Sequence, residues 1–560
     1  MKVLLAAINS KYIHTNISLR YLEKSARFLP YECVRKEFTI NENLTRILEE
    51  IMEVKPDLIG FSVYIWNFEM VKELSVLIKR IDEKIKILYG GPEVSYDSKK
   101  HLEIMAGDFI IRGEGEKSYE DLIGSLLLGK NLEEVSGLTY RSGDEVKSNA
   151  PREKMDLSLV PFPYEEGEDL TDKIAYTEAS RGCPYMCSYC LSSSERDLRF
   201  LPYDKVVENI EKLLKTGTRM IKFIDRTFNI HPDAYKIWAY LINLDDQVTF
   251  HFEISPDLIK AEHLELLAKS PLGRIQFEVG IQSTEKLVLQ EINRYITFGK
   301  VRETLIGLGR LKNIHTHMDL IAGLPNDTLD SFRKSFNDVY ALRPEMLQLG
   351  FLKVIKGTPM ERDALKYGIV YSPYAPYEVL KTNWMSYDDL RYLHRTEEVL
   401  DRYYNSGRFQ HTLDYVLKEE KEPMNFYGGL GTYYKDQGFY EKIPGVKDFY
   451  RILKEFTLIW NDTHGSTLDS KLFNELLKFD YLQYNKKQFL PEFIERNYLP
   501  NNDLKQKLSK ELGKKIHVEL YHLDILLYLE TGKIVDTETP VVYDEETGKI
   551  ITKTLSNFMA

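Results

Sequence analysis

The sequence predicts an α/β protein: an N-terminal doubly wound parallel sheet (Rossmann-like), a second α/β unit of about six strand–helix cycles, and a mainly helical final third. Three observations lead there. Short apolar runs of strand character alternate with stretches of helical spacing over residues 1–150, and again over 171–360. A proline- and acid-rich stretch without periodicity, 151–170, separates the two alternations and reads as a linker. From 361 to 560 helical patterns dominate. At 560 residues the chain is too long for one core, which agrees with several domains.

In the first unit, Lys2–Ile8 reads as a buried strand. It is followed by Asn9-Ser10-Lys11 with no small-residue cleavage site, so it does not read as a secretory signal. Ile17–Phe28 has helical spacing through Leu19, Leu22 and Ala26. Leu58–Val63 is a second strand, Val71–Ile81 a helix, Ile85–Tyr89 a third strand and Asp108–Ile111 a last short one. Ligands of such sheets sit beyond the carboxyl ends of the strands. The loops there are Asn9–His14, Ser62–Asn67, Gly90-Gly91-Pro92-Glu93 and Gly113-Glu114-Gly115-Glu116. Glycines in them let backbone approach a bulky ligand. There is no G-x-G-x-x-G and no Walker lysine, so neither a dinucleotide nor a nucleoside triphosphate is indicated. Residues 138–147, around Ser142-Gly143, form a plausible hairpin before the linker.

The second unit offers strands at Ile174–Glu178, Met220–Ile224, Thr249–Ile254, Arg274–Val279, His315–Ile321 and Leu347–Val354. Helix Lys205–Leu214 lies between the first two, with Gly217 as its stop signal. Directly after the first strand stand Cys183, Cys187 and Cys190, three of the four cysteines, spaced C-x3-C-x2-C. Scarce thiols packed this tightly argue for a soft metal centre. Structural zinc wants four ligands, usually two close pairs, and the remaining Cys33 lies about 150 residues upstream. Three thiolates on a four-iron cluster leave one iron open, and chemistry takes place at an open position.

This spacing, with Tyr189 before the last cysteine, resembles the C-x3-C-x-aromatic-C signature of the radical S-adenosylmethionine (SAM) superfamily. The resemblance implies a partial (β/α)6 barrel, a [4Fe-4S] cluster on Cys183, Cys187 and Cys190, and SAM chelated at the open iron. One electron then splits the sulfonium to a 5′-deoxyadenosyl radical. By the same resemblance the SAM contacts are Tyr189, Asp225 (amino group), Glu253, Gln282 and Ser283 in Gly280-Ile281-Gln282-Ser283, and Arg294 (carboxylate). Asp319 is a buried helper. The chain lacks the Gly-Gly-Glu seen elsewhere in the superfamily, so Asp225 is assigned by its place after the second strand.

The N-terminal unit resembles the cobalamin-binding domain that precedes the barrel in one branch of that superfamily. That resemblance assigns Ser62, Gly90, Gly91, Gly113, Glu114 and Gly115 to cobalamin, with Tyr64, Trp66 and Asn67 nearer the corrin. The D-x-H-x-x-G of many cobalamin domains is missing; His14 stands alone in the first loop, and its plain reading is an ordinary loop histidine.

The last third shows helical patterns at Asp389–Tyr403 and Val446–Trp460 and aromatic clusters around 371–377, 384–387 and 403–405, read mostly as core. His517 and His522 lie five apart, off the i, i+4 spacing of a helical metal pair, and read as structural. The tail from Val541 to Ile550 suggests a small hairpin. No apolar run of about 18 residues is present, so no membrane span is expected. A net charge of −11 without a basic block disfavours nucleic acid as partner. Free cysteines favour a reducing cytoplasm.

Together these readings point to a cobalamin-dependent radical SAM methyltransferase acting on an unactivated carbon or a phosphinate. Its substrate would be a small molecule or peptide, and an external flavodoxin- or ferredoxin-type protein would supply electrons. A non-methylating radical cyclisation or rearrangement is the alternative, and a non-enzymatic cobalamin or iron–sulfur sensor a second one.

Overall fold

The apolar run at the N-terminus is the centre of the first sheet. In the computed structural model, which describes residues 1–464, 468–485, 490–495 and 502–552, Lys2–Asn9 forms β1. It is followed by β2 (Glu32–Thr39), β3 (Leu58–Ser62), β4 (Lys86–Gly90), β5 (Phe109–Ile111), β6 (Leu138–Ser142) and β7 (Glu145–Ser148). The strand order is β2-β1-β3-β4-β5-β6-β7. The first five pair in parallel, and the hairpin β6–β7 adds antiparallel to the edge.

Both faces of β1 are covered. Leu4, Ala6 and Ile8 pack with Val71, Leu74 and Ile78 on one side, and Val3, Leu5 and Ala7 with Tyr119 and Leu122 on the other. A strand buried on both faces reads as an unbroken apolar run, and this one does. By contrast β2 is an edge strand with only its last two residues buried. Its mixed sequence hid it from a reading based on apolar runs, as it hid the following helix Leu44–Glu53, capped by the Asn43 side chain.

The stretch 151–170 lacks periodicity but is not loose. Arg20, 3% exposed, pairs with Glu168 at 2.6 Å and Glu37 at 3.1 Å. Its guanidinium also sits 4.7 Å above the ring of Tyr164. The connecting chain is thereby pinned to helix Ile17–Ser25.

The second α/β region runs β8 (Ile174–Thr177), a short antiparallel pair β9 (Ser180–Arg181) and β10 (Arg199–Phe200), then β11 (Met220–Phe223), β12 (Thr249–Glu253), β13 (Ile275–Gln282), β14 (Ile314–Ala322) and β15 (Met346–Phe351). The six long strands form one sheet in the order β15-β14-β13-β12-β11-β8, a partial (β/α)6 barrel. All six expected strands are present, with ends displaced by one to three residues. A register shift between Gly280 and Gln282 interrupts the end of β13.

The chain divides into two compact units. One joins Met1–Thr328 to Gly350–Ser386; the other joins Leu329–Leu349 to Tyr387 and beyond. The second unit is chiefly helical: Leu329–Tyr340, Tyr387–Leu400 running into a π turn at Asp401–Asn405, Pro423–Asp436, Val446–His464 and Ser470–Tyr484. Its aromatics are core. Tyr340 and Tyr427 meet hydroxyl to hydroxyl at 3.1 Å, as do Tyr403 and Tyr434 at 2.7 Å. The expected tail hairpin is β-paired Thr539–Asp544 and Ile550–Thr552, joined by Ile516–Tyr521 into a three-stranded sheet. His517 pairs with Glu519 at 2.9 Å inside that sheet. Among the described residues no helix is long and apolar enough to cross a membrane.

Replacing Arg20 by methionine removes the nearest cation from Glu37 and Glu168 and leaves them only Arg35, at 4.0 and 3.6 Å. The first unfolding transition in urea should lose about 3 kcal/mol, the range for breaking a buried pair by removing one partner. An unchanged transition would show that the linker is not held there.

Candidate active site

The cysteine loop leaves β9 and returns as β10, and backbone bonds hold it on three sides. Cys183 N–H donates to the Glu195 carbonyl at 2.9 Å, Ser188 N–H to Ile292 at 3.0 Å, and Met360 N–H to Ser188 at 2.9 Å. Gly182 has φ +98°, and a Cβ there would lie 2.5 Å from the Asp197 carbonyl oxygen, so only glycine fits. Asp225, just past β11, closes the loop from below: its carboxylate accepts from Ala179 N–H at 2.9 Å and from the Ser180 hydroxyl. Burial pushes the Asp225 carboxyl up to about 7, against the pull of those two bonds. Asp225 thus positions the loop, and its oxygens are turned to the loop's own donors.

All three thiols are free; Cys183 and Cys187 are 7% and 5% exposed, and Cys190 opens onto a cavity. Burial pushes the Cys183 thiol up, and the neighbouring Cys190 and Cys187 add to it. Cys33 sits apart on β2, its thiol pushed up to about 11 by burial. Three soft donors on one tied loop, with the fourth thiol elsewhere, fit an iron–sulfur cluster that keeps one corner open.

The cavity holds about 940 Å³ between the carboxyl edge of the first sheet and the cysteine loop. It lies at the β1/β3 position where the strand order reverses, the usual ligand crevice of a doubly wound sheet. Ser62, Tyr64, Trp66, Gly90, Gly91, Gly113, Glu114 and Gly115 line one side; Gly182, Tyr189, Cys190 and Arg226 line the other. Tyr64 and Trp66 stack at 4.4 Å, and Trp66 remains 45% exposed. Ser62 accepts from the Asn16 amide at 3.0 Å.

Asn67 lies behind this wall. Its side chain donates to the carbonyls of Ile8 and Ser62, both at 3.0 Å, and accepts from Tyr64 N–H at 2.8 Å, so it splices β1 to β3. Gly91 (φ +115°) is required because a Cβ would fall 2.5 Å from the Val63 carbonyl oxygen. That close approach is to the protein's own backbone. A wide crevice with a glycine-lined floor and an aromatic platform fits a large flat cofactor such as cobalamin. His14 takes no part in the lining; its Nδ1 meets the Tyr176 hydroxyl at 2.6 Å.

Several polar groups, of which the sequence reading named only Glu114 as a site residue, surround these two walls. Arg181 donates to Glu178 and Glu116 at 2.7 and 2.6 Å, and Glu114 pairs with Arg199. Glu93 is buried beside the cavity and bonded to Lys356 at 3.2 Å and to the Tyr377 hydroxyl. Glu178 and Arg181 flank the cysteine motif in sequence and were open to notice; Lys356 and Tyr377 carry no local signal.

Inside the barrel, Glu278 faces Lys222 at 3.2 Å and His251 at 3.3 Å. Burial alone would push the Glu278 carboxyl up, but the His251 bond and the Lys222 charge outweigh it and hold it at about 2. Burial raises the Glu253 carboxyl, with Arg226 opposing, and also that of Asp319, with His317 at 3.0 Å opposing. Gln282 has φ +68° and folds back over Gly280, next to buried Ser283, and Arg294 reaches the Gly280 carbonyl from beyond β13.

A doubly wound sheet edge facing a three-cysteine loop at a partial-barrel mouth defines an α/β protein with two cofactor walls around one cavity. Comparison with known proteins shows what each part of the chain is similar to. Residues 3–123 match the B12 binding domain, 177–339 the Radical SAM superfamily, and 365–543 a family described as Protein of unknown function (DUF4080). The chain is homologous to the cobalamin-binding radical SAM enzymes.

It is 25% identical over 344 residues to the cobalamin-dependent radical SAM methyltransferase TokK of Streptomyces tokunonensis, covering 55% of this chain and 48% of that protein. It is 24% identical over 319 residues to the anaerobic magnesium-protoporphyrin IX monomethyl ester cyclase of Cereibacter sphaeroides, covering 54% and 52%. It thus spans about half the length of these two relatives. The structure of the cobalamin-dependent SAM radical enzyme OxsB with aqua-cobalamin and SAM bound shares the fold at TM-score 0.59, with 17% identity, over 86% of this chain and 83% of that one.

Asp225 carries a pH signature. Its folded pKa is raised above the unfolded value, so its contribution to stability is full below about 4 and is lost as pH rises through about 7. The thermal midpoint of wild type should therefore fall relative to Asp225→Asn between pH 5 and 8. Parallel curves for the two proteins would show that Asp225 is ionised throughout.

Proposed function

We propose that the chain is a cobalamin-dependent radical SAM enzyme that methylates an unactivated position of a small molecule. The observation that carries this reading is a cavity walled on one side by the cobalamin-type sheet edge and on the other by Cys190. When bound, the cluster, SAM and cobalamin supply reductive SAM cleavage and methyl transfer, the bond-breaking steps that no side chain here performs.

The residues hold and orient. Cys183, Cys187 and Cys190 take the cluster and leave one corner for SAM. Glu253, Gln282, Ser283, Arg294 and Tyr189 would hold SAM there. Gly90, Gly91, Ser62 and the Gly113–Gly115 loop receive cobalamin, with Tyr64 and Trp66 as its platform. Holding reactive centres in one enclosed space converts an encounter into a positioned reaction. Glu93, tied to Lys356 and Tyr377, lines the same space. Electrons arrive from a low-potential flavodoxin- or ferredoxin-type protein. The similarity to the monomethyl ester cyclase supports a second reading, ring formation with the same cofactors.

The test is anaerobic reconstitution with iron, sulfide and cobalamin. The expected protein holds about four irons per chain, shows a corrinoid spectrum, and releases 5′-deoxyadenosine from SAM under reductant; Cys187→Ala loses the iron and the release. Methyl-labelled SAM then decides between the readings. Label in the product supports methylation, whereas turnover with unlabelled product supports ring formation. An iron-free wild type, or intact SAM, refutes both.

A further inference from the structure

We propose that Arg294 sets the reduction potential of the cluster through a charged hydrogen bond to Cys187, an inference that rests on the cofactor reading above. Arg294 follows the helix Lys286–Glu291 and turns back toward the barrel. Its Nη2 donates to the Gly280 carbonyl, which fixes the plane of the guanidinium. Its Nη1 then lies 3.6 Å from Cys187 Sγ.

No carboxylate among the described residues pairs with this guanidinium; the titratable groups around it are the Cys187 thiol and the phenols of Tyr189 and Tyr185. A part-buried cation without an anion is costly, so the site calls for negative charge beside Nη1. The Cys187 sulfur is the group in place to carry it. The other sulfurs are treated differently. Cys183 is met by the Tyr185 N–H and the Thr227 hydroxyl, both neutral, and no lysine or arginine among the described residues bonds Cys183 or Cys190.

Reduction brings one electron from an external donor into the cluster and makes it more negative by one charge. A fixed positive charge bonded to a ligand sulfur stabilises the reduced state more than the oxidised one. Hydrogen bonds to cluster sulfurs are among the main determinants of potential. Arginine stays protonated, so the electron enters without a proton and the effect does not depend on pH. The assignment differs from one in which Arg294 serves only the SAM carboxylate, because it acts before SAM binds.

The experiment is a potentiometric titration, read by electron paramagnetic resonance, on reconstituted full-length protein without SAM. It compares wild type with Arg294→Met, Arg294→Gln and Arg294→Lys at matched iron content. The Met and Gln proteins should be about tenfold harder to reduce, a drop of about 59 mV for a one-electron couple, equal at pH 7 and 9. The Lys protein should stay close to wild type. If Arg294→Met does not assemble its cluster, the Gln and Lys proteins carry the comparison. Equal potentials in all four, with SAM affinity lost in the variants, would overturn the proposal and leave Arg294 a SAM ligand. A wild type that takes up no cluster would instead refute the parent reading.

Discussion

One guanidinium stands where the two halves of the first unit meet. Arg181 lies on β9, the strand that leads into the cysteine loop, while Glu114 lies on the loop after β5, Glu116 opens the helix that follows it, and Glu178 stands just past β8. Burial works against the charge on Arg181, yet Glu178 and Glu116 more than offset it and hold its pKa well above the usual arginine value. Arg199, on the partner strand, takes up Glu114. Three carboxylates and two guanidinia thus lock the sheet edge against the cysteine loop. Such a network contributes less to stability than its bond count suggests, because each charge loses solvation. What it determines is the width of the cavity.

That width governs everything the site can do. The cysteine loop is fixed by backbone bonds to residues 195, 292 and 360 and by the Asp225 carboxylate; the opposite wall is fixed by Asn67, which ties β1 to β3. Within each wall the ties are backbone bonds and short side chains; the long side chains of Arg181 and Arg199 act between the walls. The side chains facing the cavity include the stacked Tyr64 and Trp66 and that of Arg226; at the end of β12, Glu253 has no hydrogen-bonded side-chain partner among the described residues. Rigid walls with a few free groups suit a site that must hold large cofactors at set spacing.

The sequence was most readable where one physical demand acts alone. Strands buried on both faces must be apolar throughout, so β1, β3 and the barrel strands stood out. Soft metal binding demands clustered thiols, so the loop stood out too. Readability failed where demands compete or partners are remote. The edge strand β2 mixes polar and apolar residues because one side meets solvent. Asn67 looked like a cofactor contact, since nothing local shows that its amide is consumed by Ile8 and Ser62. Asp225 looked like a ligand for an ammonium, yet its oxygens already accept from Ala179 and Ser180. The glycine at 91 was expected to let backbone approach a bulky ligand; the group that crowds its Cα side in the structure is the Val63 backbone. Lys356 and Tyr377 reach Glu93 from more than 260 residues away, a distance no motif reports.

The chain passes between its two units more than once. It leaves the first at Thr328, returns at Gly350 and departs again after Ser386. The excursion is built into its host: Tyr340 bonds Tyr427, and the Asn337 side chain accepts from Met424 N–H at 3.1 Å. The helical unit is therefore not a detachable appendage. A cut after Ser386 would leave Tyr340 and Asn337, which lie between β14 and β15, without these partners.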